Sequence, residues 1–483
     1  MIIVSITGPD MKRAKSQLRH SSRYADLIEF RVDLIRDARL PELLSATRKP
    51  VIITCRPRWE GGGFVGKEED RIRILLHALE LGAGYVDVEL RSGKNSLARL
   101  IQLRREAIIV SAHYHDRMVG DIDRLYDRLH TTGAAVVKFA FAARDAADNR
   151  SAFIFLARAR ADRRKAVAIA MGEPGEASRI LYRVHGGWAT YAAPEEGPPA
   201  APGQITAHQL RHVYRADTLT PKTKVFAVVG NPVRQSKGIV VHNALFSRDH
   251  LNCVYVRFPV VNLRNFMKYI APSMRGFSVT VPHKEKVVGF LDHIDARARE
   301  IGAVNTVVRR SGMLHGSNTD ASGALDAIER RFRVRSRSVL IVGAGGAARA
   351  IAYEARRRGA RVVIANRTRS KARGLARSLG VTAIDLSDIA GHRFAVMVNA
   401  TSVGMNPVSN RSPLPRRSVR ASVVFDVVYN PASTRFLRDA RRNGARVIRG
   451  TEMYLNQAAL QYKLYTGRNA DISFMRRAMK GRS

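Results

Sequence analysis

Short apolar runs alternate with amphipathic, helix-like stretches through the first 210 residues of the chain. Eight of these runs have the length and the β-branched and aromatic content of strands. They span residues 2–7, 27–33, 51–56, 85–90, 107–113, 135–141, 166–171 and 188–193. Eight strand–helix repeats predict an α/β fold that begins with a (β/α)₈ barrel, which we assign to residues 1–212.

Polar residues alternate with apolar ones inside two of these runs. Glu29, Arg31 and Asp33 share one face of the second strand, and Asp87 and Glu89 share one face of the fourth. Because successive side chains of a strand point to opposite faces, we expect the polar set to point into the barrel. The active sites of such barrels lie at the C-terminal ends of the strands, so these residues are candidates for chemistry.

A lysine, Lys138, interrupts the apolar sixth run. Burial and cationic neighbours would favour its neutral amine, which can attack a ketone, whereas a lysine that only reaches the barrel rim is the alternative. His113, at the end of the fifth strand, is a candidate partner for proton transfer. His113 and His115 also resemble a metal-binding strand, but no further ligands stand out, and we therefore expect no metal.

A second α/β pattern follows a polar segment, residues 213–223, that we interpret as a linker. Strand-like runs recur near residues 253–260, 276–282 and 303–310. They predict a compact substrate-binding domain over residues 224–333.

Residues 338–350 combine a strand, a glycine turn and the start of a helix. Such a turn lets the backbone approach a pyrophosphate at the helix N-terminus, which predicts a Rossmann domain over residues 334–450. The next strand ends in Asn366-Arg367-Thr368 with Lys371 nearby, where an NAD site usually has an acid, so the pattern favours NADP(H). We expect the last helices, residues 451–483, to return to the substrate-binding domain.

Composition changes this interpretation little. The 483 residues include 82 basic and 41 acidic ones, a net charge of +41, but the basic residues are scattered through every segment. We expect them to attract small anionic substrates and not to form a dedicated nucleic-acid surface. The sequence has no apolar run long enough to cross a bilayer, and its two cysteines lie far apart, which together favour a cytoplasmic protein without a membrane partner. The oligomeric state is not predicted.

The motifs of the first half resemble type I 3-dehydroquinate dehydratase over residues 1–212. The resemblance rests on Glu29 to Asp33, Arg56, Glu60-Gly61-Gly62, Ser111-Ala112-His113, Lys138, Met171 through Ser178-Arg179, and Ala201-Pro202-Gly203-Gln204. It implies an imine between the lysine and the C3 ketone of the substrate, removal of a C2 proton by the histidine, and loss of water from C1.

Carried over residue by residue, this resemblance assigns a role to each part of the first site. It implies that Lys138 forms the Schiff base, His113 is the general acid and base, and Glu60 positions His113. The residues implied in substrate binding are Arg179, for the carboxylate, and Glu29, Arg31, Arg56 and Gln204, for the hydroxyls and the order of the pocket. The chain departs from the family at Ala200, where a serine is common, and at His113-Tyr114-His115, where His-Asp-Phe is usual.

The second half resembles shikimate dehydrogenase over residues 224–480. The resemblance rests on Gly230 to Ser236, Ser278 to Lys284, Gly302 to Thr306, Asn318-Thr319-Asp320, Gly343 to Gly346, Asn366 to Thr368, Asn399 to Ser402, Asp426 to Pro431 and Gly450 to Gln457. It implies that Lys284, held by Asp320, protonates the reduced carbonyl. Gly238 stands where the family often has a second serine.

The same resemblance implies two sets of binding residues. Substrate would be held by Ser236, Thr280, Asn305, Tyr429 and Gln457. NADP(H) would be held by Gly343, Ala344, Gly345, Gly346, Ala347, Asn366, Arg367, Thr368, Lys371, Thr401, Gly450 and Met453.

Together the two resemblances imply a bifunctional enzyme of the shikimate pathway. It would dehydrate 3-dehydroquinate to 3-dehydroshikimate and reduce that product to shikimate with NADPH. The alternative is a catalytically weak, ligand-sensing regulator on the same fold. That alternative predicts the loss of Lys138, His113, Lys284 or Asp320, and all four are present.

Overall fold

Eight parallel strands form the first sheet of the computed structural model, which describes residues 1–116 and 120–481. The strands are β1 (Ile2–Ile6), β2 (Leu27–Arg31), β3 (Val51–Thr54), β4 (Tyr85–Glu89), β5 (Ile108–Tyr114), β6 (Val136–Ala142), β7 (Lys165–Met171) and β8 (Thr190–Ala192). Their order is β7-β6-β5-β4-β3-β2-β1-β8, and the N–H of Trp188 donates to the carbonyl of Ala166 at 2.9 Å, across the remaining gap. The predicted (β/α)₈ barrel and its eight strands are confirmed.

Helices join these strands. They are α1 (Met11–Ser21), α2 (Leu40–Ser45), α3 (Glu68–Glu80), α4 (Lys94–Arg104), α5 (Ile122–His130), α6 (Asn149–Ala161) and α7 (Glu176–Ile180). Local sequence defines their ends: the side chain of Asp10 caps α1 by accepting from the N–H of Arg13 at 2.8 Å. Ile28 and Phe30 are fully buried on the apolar face of β2, and Glu29, on the other face, lies inside the barrel.

The predicted linker, residues 213–223, is packed and not loose. Tyr214 and Leu219 are buried, and the guanidinium of Arg215 donates to the carbonyls of Leu251 and Cys253 at 3.3 and 3.1 Å. These contacts tie the segment to a later stretch of chain.

The first compact unit therefore extends beyond the predicted barrel. It comprises Met1–Ala227 together with Asp249–Met274. In this region lie β9 (Lys224–Gly230), α8 (Gly238–Arg248), β10 (Cys253–Pro259) and α9 (Leu263–Tyr269), of which β10 and α9 belong wholly to the first unit. The guanidinium of Arg257 pairs with both carboxylate oxygens of Glu176 at 2.7 Å, which helps explain why this stretch groups with the barrel and not with the predicted substrate-binding domain.

The second unit comprises Val228–Arg248 and Arg275–Ser483. Helix α8 belongs to this unit, and the next elements are β11 (Gly276–Val279), β12 (His293–Ile294), α10 (Ala296–Ile301), β13 (Thr306–Arg310), β14 (Met313–Ser317) and α11 (Asp320–Glu329). Strand β13 runs antiparallel to β11 and β14, and β12 runs parallel to β14. The short β12 and β14 were not predicted, because they carry no sustained apolar alternation.

A parallel six-stranded sheet forms the rest of this unit, as predicted. Its elements are β15 (Ser338–Val342), α12 (Gly346–Arg357), β16 (Arg361–Ala365), α13 (Arg369–Leu379), β17 (Thr382–Ala383), β18 (Phe394–Asn399), β19 (Ala421–Asp426), α14 (Arg435–Arg442) and β20 (Arg446–Ile448). The order is β17-β16-β15-β18-β19-β20. It reverses between β15 and β18, the point at which such sheets bind ligands.

Two helices end the described chain, α15 (Gly450–Thr466) and α16 (Ile472–Met479). Helix α15 packs closely on α11. A Cβ added at Gly323 would lie only 2.9 Å from the Cβ of Gln457, so only glycine fits there. The amide of Asn456 also donates to the carbonyl of Gly323 at 3.0 Å. Among the described residues, no helix combines the length and the apolar character needed to span a membrane.

Candidate active sites

All residues predicted for the first site line one cavity in the barrel. They are Glu29, Arg31, Arg56, Glu60, His113, Lys138, Arg179 and Gln204. They come from strands β2, β5 and β6 and from segments that follow β3, β7 and β8. The barrel thus brings together side chains that lie up to 175 residues apart in the sequence.

Lys138 is buried on β6 and its Nζ faces carboxylates. It lies 2.8 Å from Oδ2 of Asp87 and 3.9 Å from Oε1 of Glu29. The expectation of mainly cationic neighbours is therefore wrong. Burial alone would raise the pKa of Asp87, but Arg56 and Lys138 outweigh burial and hold that pKa below its usual range. The lysine is held as an ion pair, with a carboxylate at hydrogen-bonding distance from the amine that would attack.

His113 is paired with Glu60 through its Nδ1, at 2.9 Å from Oε2. Burial raises the pKa of Glu60 to about 8, although Arg56 opposes the shift. Burial, Arg56 and Lys138 together lower the pKa of His113 well below its usual value. A neutral imidazole is the form that can accept a proton, so this environment favours a base.

His115 lies beside this pair without forming a metal centre with it. Its Nε2 donates to the carbonyl of Glu60 at 3.1 Å, and its ring stacks on that of His113 with 6.4 Å between the centroids. No group of three or more histidine, cysteine, aspartate or glutamate side chains among residues 1–116 and 120–481 is arranged to hold a metal ion.

A buried network orders the floor of the cavity. One guanidinium nitrogen of Arg56 lies 2.6 Å from Glu89 and the other lies 3.0 Å from Asp87. Arg71 of α3, fully buried, pairs with the second oxygen of Glu89 at 2.6 Å. Ser111 donates to Asp87 at 2.6 Å. Because its nitrogens are occupied in this way, Arg56 acts chiefly by holding these carboxylates in place.

Arg179 differs from Arg56 because it contacts no carboxylate within residues 1–116 and 120–481. It is 1% exposed, and its guanidinium donates to the carbonyls of Tyr191 and Pro202, at 3.2 and 3.3 Å. Its Nε has no hydrogen-bond partner among the described residues, and burial lowers the pKa of Arg179 to about 10. A buried cation with unused donors that faces a cavity is suited to bind an anion.

Gln204 closes the loop beside Arg179. Its Oε1 accepts hydrogen bonds from the N–H groups of Ala200 and Ala201, at 2.8 and 3.3 Å. Ala200 therefore takes part in the loop through its backbone, although it lacks the hydroxyl that the family commonly has at this position.

In the second unit, Nζ of Lys284 lies 2.6 Å from Oδ2 of Asp320. Lys284 follows β11, and Asp320 is the first residue of α11. The carbonyl of Lys284 accepts from the N–H of Val304 at 2.8 Å, and Oδ1 of Asn305 accepts from the N–H of Thr319 at 2.9 Å. Backbone hydrogen bonds thus bring together the two distant motifs that carry the pair.

Asn305 and Gln457 also meet here. The amide of Asn305 lies 2.9 Å from Oγ1 of Thr319 and 3.5 Å from Oε1 of Gln457. Thr280 is close to the turn after β9. A Cβ on Gly230 would clash with the methyl group of Thr280.

Ser236 and Tyr429 lie on neighbouring loops. The amide of Asn430 donates to Oε1 of Gln235 at 2.8 Å, which links these loops. The hydroxyl of Ser236 accepts from the N–H of Gly238 at 3.2 Å, and the ring of Tyr429 packs on that of Tyr454 with centroids 5.1 Å apart. The structure therefore brings Asn305 and Gln457 into contact and places Ser236 and Tyr429 on two loops that a side-chain hydrogen bond links.

The glycine turn lies next to the Lys284 side chain. Gly343 has a φ of +129°, and α12 begins at Gly346. A Cβ on Gly346 would approach the Cβ and Cδ of Lys284 to 3.4 Å, and one on Gly343 would lie 3.2 Å from the methyl of Thr401. The turn Gly343-Ala344-Gly345-Gly346-Ala347 thus presents a helix N-terminus beside the lysine, as a pyrophosphate would require.

The other predicted cofactor residues lie after β16 and at the start of α15. Gly450 begins α15 where a Cβ would lie 2.6 Å from the carbonyls of Val427 and Val428, and Met453 is buried one turn later. Asn366, Arg367, Thr368 and Lys371 follow β16, and the last three are exposed. No acid stands at the end of this strand. These residues fit a nucleotide that carries a 2′-phosphate.

Comparison with known proteins identifies the families that the two halves of the chain match. Residues 2–221 match the type I 3-dehydroquinase family. Residues 228–307, 326–428 and 450–480 match the shikimate dehydrogenase substrate binding domain, shikimate / quinate 5-dehydrogenase and the shikimate 5′-dehydrogenase C-terminal domain. A chloroplastic bifunctional 3-dehydroquinate dehydratase/shikimate dehydrogenase of Arabidopsis thaliana is 38% identical over 472 residues, which cover 92% of this chain and 78% of the relative.

The chain belongs to this bifunctional family. The shikimate biosynthesis protein AroDE of Chlamydia pneumoniae is 29% identical and matches 96% of this chain and 95% of its own length. A crystal structure of shikimate 5-dehydrogenase from Thermus thermophilus, in complex with NADP(H) and shikimate, is 36% identical. Its TM-score is 0.50, and the match covers 54% of this chain and 100% of that one.

Several buried residues of this bifunctional enzyme escaped prediction. Asp87 and Glu89 were recognised as lumen residues but were given no role, and Arg71 and Tyr191 were not considered. The buried face of α3, with Ile72 and Leu75, includes Arg71, so helical periodicity could have found it. Tyr191 lies between two buried residues of β8 and is uncharged, so no polar pattern in the sequence marks it.

Proposed function

We propose that this chain catalyses two consecutive reactions of the shikimate pathway. The first unit would dehydrate 3-dehydroquinate to 3-dehydroshikimate, and the second would reduce that product to shikimate with NADPH. The observation that carries the proposal is the presence of two complete catalytic sets, Lys138 with His113 in one cavity and Lys284 with Asp320 beside a glycine turn.

In the dehydratase, the neutral His113 would take a proton from the ammonium group of Lys138, and the free amine would attack the C3 ketone. The protonated histidine would return that proton to the departing hydroxyl, so that an imine forms with loss of water. The imine withdraws electrons from C2, so His113 can remove a C2 proton and the C1 hydroxyl can leave as water. Hydrolysis of the imine then releases the product and the lysine. Arg179 would bind the substrate carboxylate, since it has an unused donor and pairs with no carboxylate in the described part of the chain.

In the reductase, bound NADPH supplies a hydride to the C3 carbonyl. Lys284 would donate a hydrogen bond to the carbonyl oxygen, stabilise the negative charge that develops there and give it a proton. Asp320 would hold Lys284 in its cationic form through the 2.6 Å contact. Asn305 and Gln457 would bind hydroxyls, and Ser236, Thr280 and Tyr429 would bind the carboxylate and the remaining hydroxyl; the contacts of Asn305 with Gln457 and of Asn430 with Gln235 support this assignment.

The residues predicted to hold the nucleotide support NADP(H) as the cofactor, and we assign no metal. The glycine turn would take the pyrophosphate, Thr401, Gly450 and Met453 the nicotinamide side, and Asn366, Arg367, Thr368 and Lys371 the 2′-phosphate. A cytoplasmic location is part of the proposal and rests on the two cysteines, Cys55 and Cys253, which are buried and unpaired. The Arabidopsis relative is named as chloroplastic.

No observation favours a ligand-sensing regulator. Such a protein can lose the groups that move protons while it keeps those that bind ligand. Here all four residues are present: Lys138 pairs with Asp87, His113 with Glu60, and Lys284 with Asp320.

A coupled assay tests the function directly. The purified chain is given 3-dehydroquinate and NADPH, and absorbance is followed at both the enone and the nicotinamide wavelengths. Without NADPH, the enone of 3-dehydroshikimate should accumulate; with NADPH, nicotinamide absorbance should fall as shikimate forms. NADPH alone should remain unchanged. If substrate binds but neither signal develops, the regulator is the correct assignment.

A further inference from the structure

Tyr191 lies against the proposed Schiff-base lysine. It belongs to β8, is 3% exposed and lines the same cavity as Lys138. Nζ of Lys138 stands 4.0 Å from the centre of its ring, a favourable cation–π distance. None of the residue roles assigned above uses this side chain.

The hydroxyl of Tyr191 is buried and makes no hydrogen bond with any described residue. A buried donor without an acceptor is costly, and native proteins rarely keep one. When such a donor occurs in the wall of an active site, its acceptor can arrive with the substrate.

The carboxylates that interact electrostatically with this hydroxyl already accept hydrogen bonds from other side chains. Glu29 and Asp87 both act on the electrostatics of Tyr191. The oxygens of Glu29 accept from Ser5 and Thr54, at 2.6 and 2.9 Å. Those of Asp87 accept from Ser111 and Lys138, at 2.6 and 2.8 Å.

The hydroxyl also remains a donor at physiological pH. Burial, with the Glu29 and Asp87 carboxylates, raises the pKa of Tyr191 well above its ordinary value. A neutral phenol can donate to a ketone or hydroxyl oxygen without placing another negative charge beside Asp87.

Tyr191 also links the two ends of the proposed substrate site. Its ring contacts Lys138, where the ketone would react, and its main-chain carbonyl accepts from Arg179 at 3.2 Å, where the carboxylate would bind. A substrate held at both ends must pass along this residue.

We propose that Tyr191 is a further substrate-binding residue of the dehydratase. Its ring supports the Lys138 ammonium group before substrate binds. Its hydroxyl donates to a substrate oxygen on, or next to, the carbon that the lysine attacks. As Lys138 attacks, its Nζ moves toward the substrate and away from the ring, so the Tyr191 hydroxyl becomes accessible to that substrate oxygen. This inference rests on the dehydratase function proposed above.

The substitution Tyr191→Phe tests the hydroxyl, because it keeps the ring and its contact with Lys138. We expect kcat/KM for 3-dehydroquinate to fall roughly ten- to a hundredfold, as for loss of one hydrogen bond in a buried site. The melting temperature of the ligand-free protein should stay the same or rise, because the variant no longer buries an unpaired donor. NADPH-dependent reduction of added 3-dehydroshikimate should be unchanged.

Tyr182→Phe is the matched control. Tyr182 is equally buried but does not line the cavity, and its hydroxyl accepts from the amino group of Met1 at 3.0 Å. This variant should lower the melting temperature and leave dehydratase kinetics within about twofold of the unmodified enzyme. The two variants should therefore show opposite patterns of stability and activity.

Two results would overturn the inference. One is a Tyr191→Phe enzyme with unaltered dehydratase kinetics. The other is a variant that is less stable than the unmodified protein or fails to fold, since the hydroxyl would then have a structural role. Failure of the proposed function is distinguishable, because the unmodified enzyme would itself leave 3-dehydroquinate unchanged.

Discussion

The two active sites keep their charges in different environments. In the barrel, Asp87, Glu89, Arg56 and Lys138 are all buried and neutralise one another over 2.6–3.0 Å. At the cofactor edge of the second unit, by contrast, Arg367 is exposed and has no ion-pair partner among the described residues. Removing one member of a buried network leaves its partner unpaired and disturbs the rest. Removing an exposed cation should affect only what that cation binds.

The largest effect is expected for Lys138→Ala. Without the amine no imine can form, so dehydratase activity should fall below detection while reduction of 3-dehydroshikimate continues. The change also leaves Asp87 buried beside the remaining network, and the first unit should lose about 3–5 kcal/mol of stability. Separate assays of the two reactions and a denaturant titration measure both effects.

Borohydride trapping sharpens this prediction. Borohydride added with 3-dehydroquinate should inactivate the unmodified dehydratase and add the mass of the reduced ligand to the peptide that contains Lys138. Lys165→Ala is the matched control, because Lys165 is an exposed lysine on the neighbouring strand β7. An adduct on another residue, in an active enzyme, would contradict the assignment.

Lys284→Ala should have the next largest effect. The loss of a positioned acid in the reductase should slow reduction roughly 10²–10⁴-fold. Dehydration should stay within about twofold of normal, since no residue of the barrel cavity is altered. Lys286→Ala, an exposed lysine two residues later, should leave both activities intact. Loss of both activities in a folded Lys284→Ala protein would disprove independent active sites.

Arg179→Lys tests a buried arginine, for comparison with the exposed Arg367. Lysine keeps the charge but cannot donate two parallel hydrogen bonds to a carboxylate. The KM for 3-dehydroquinate should therefore rise on the order of a hundredfold, with a smaller change in kcat. Arg183→Lys, an exposed position one turn away, is the control. An unchanged KM would mean that another cation binds the carboxylate.

The same contrast explains what the sequence could predict. Period-two alternation placed Glu29 and Arg31 inside the barrel, because a strand offers only two faces. Arg179 and Lys284 were found through motifs with fixed spacing. The pairing of Arg71 with Glu89 depends on how α3 lies over β4, a contact between residues 18 positions apart that no local pattern records.

Packing over longer distances was equally hidden. The grouping of residues 249–274 with the barrel depends on contacts such as Arg257 with Glu176, and 213–223 resembles a linker in composition although Tyr214 and Leu219 are buried. A polar composition shows that a segment can be exposed to solvent, but it does not show which residues the segment contacts. The orphan hydroxyl of Tyr191 could be recognised only from the complete set of its neighbours.

The smallest effect is expected for Arg367→Ala, at the exposed end of the comparison. NADPH differs from NADH by the phosphate on its adenosine ribose, and no acid follows β16 to repel that phosphate. Arg367 can stack on the adenine and donate to the phosphate. Loss of one such contact should cost roughly 1.5–3 kcal/mol, about ten- to a hundredfold in NADPH binding. The constant for NADH should barely change.

Its control is Arg369→Ala, because Arg369 is exposed on the next turn but pairs with Asp385 at 3.0 Å and is therefore already neutralised. In Arg367→Ala the rate at saturating NADPH should remain close to normal, since Lys284 and the glycine turn are unaltered. High salt should reduce the difference in NADPH binding between Arg367→Ala and the unmodified enzyme, because an exposed charge is screened. A site of this kind adds affinity without taking part in the chemistry. An unmodified enzyme that prefers NADH, or an Arg367→Ala enzyme that loses both cofactors equally, would show that the phosphate is bound elsewhere.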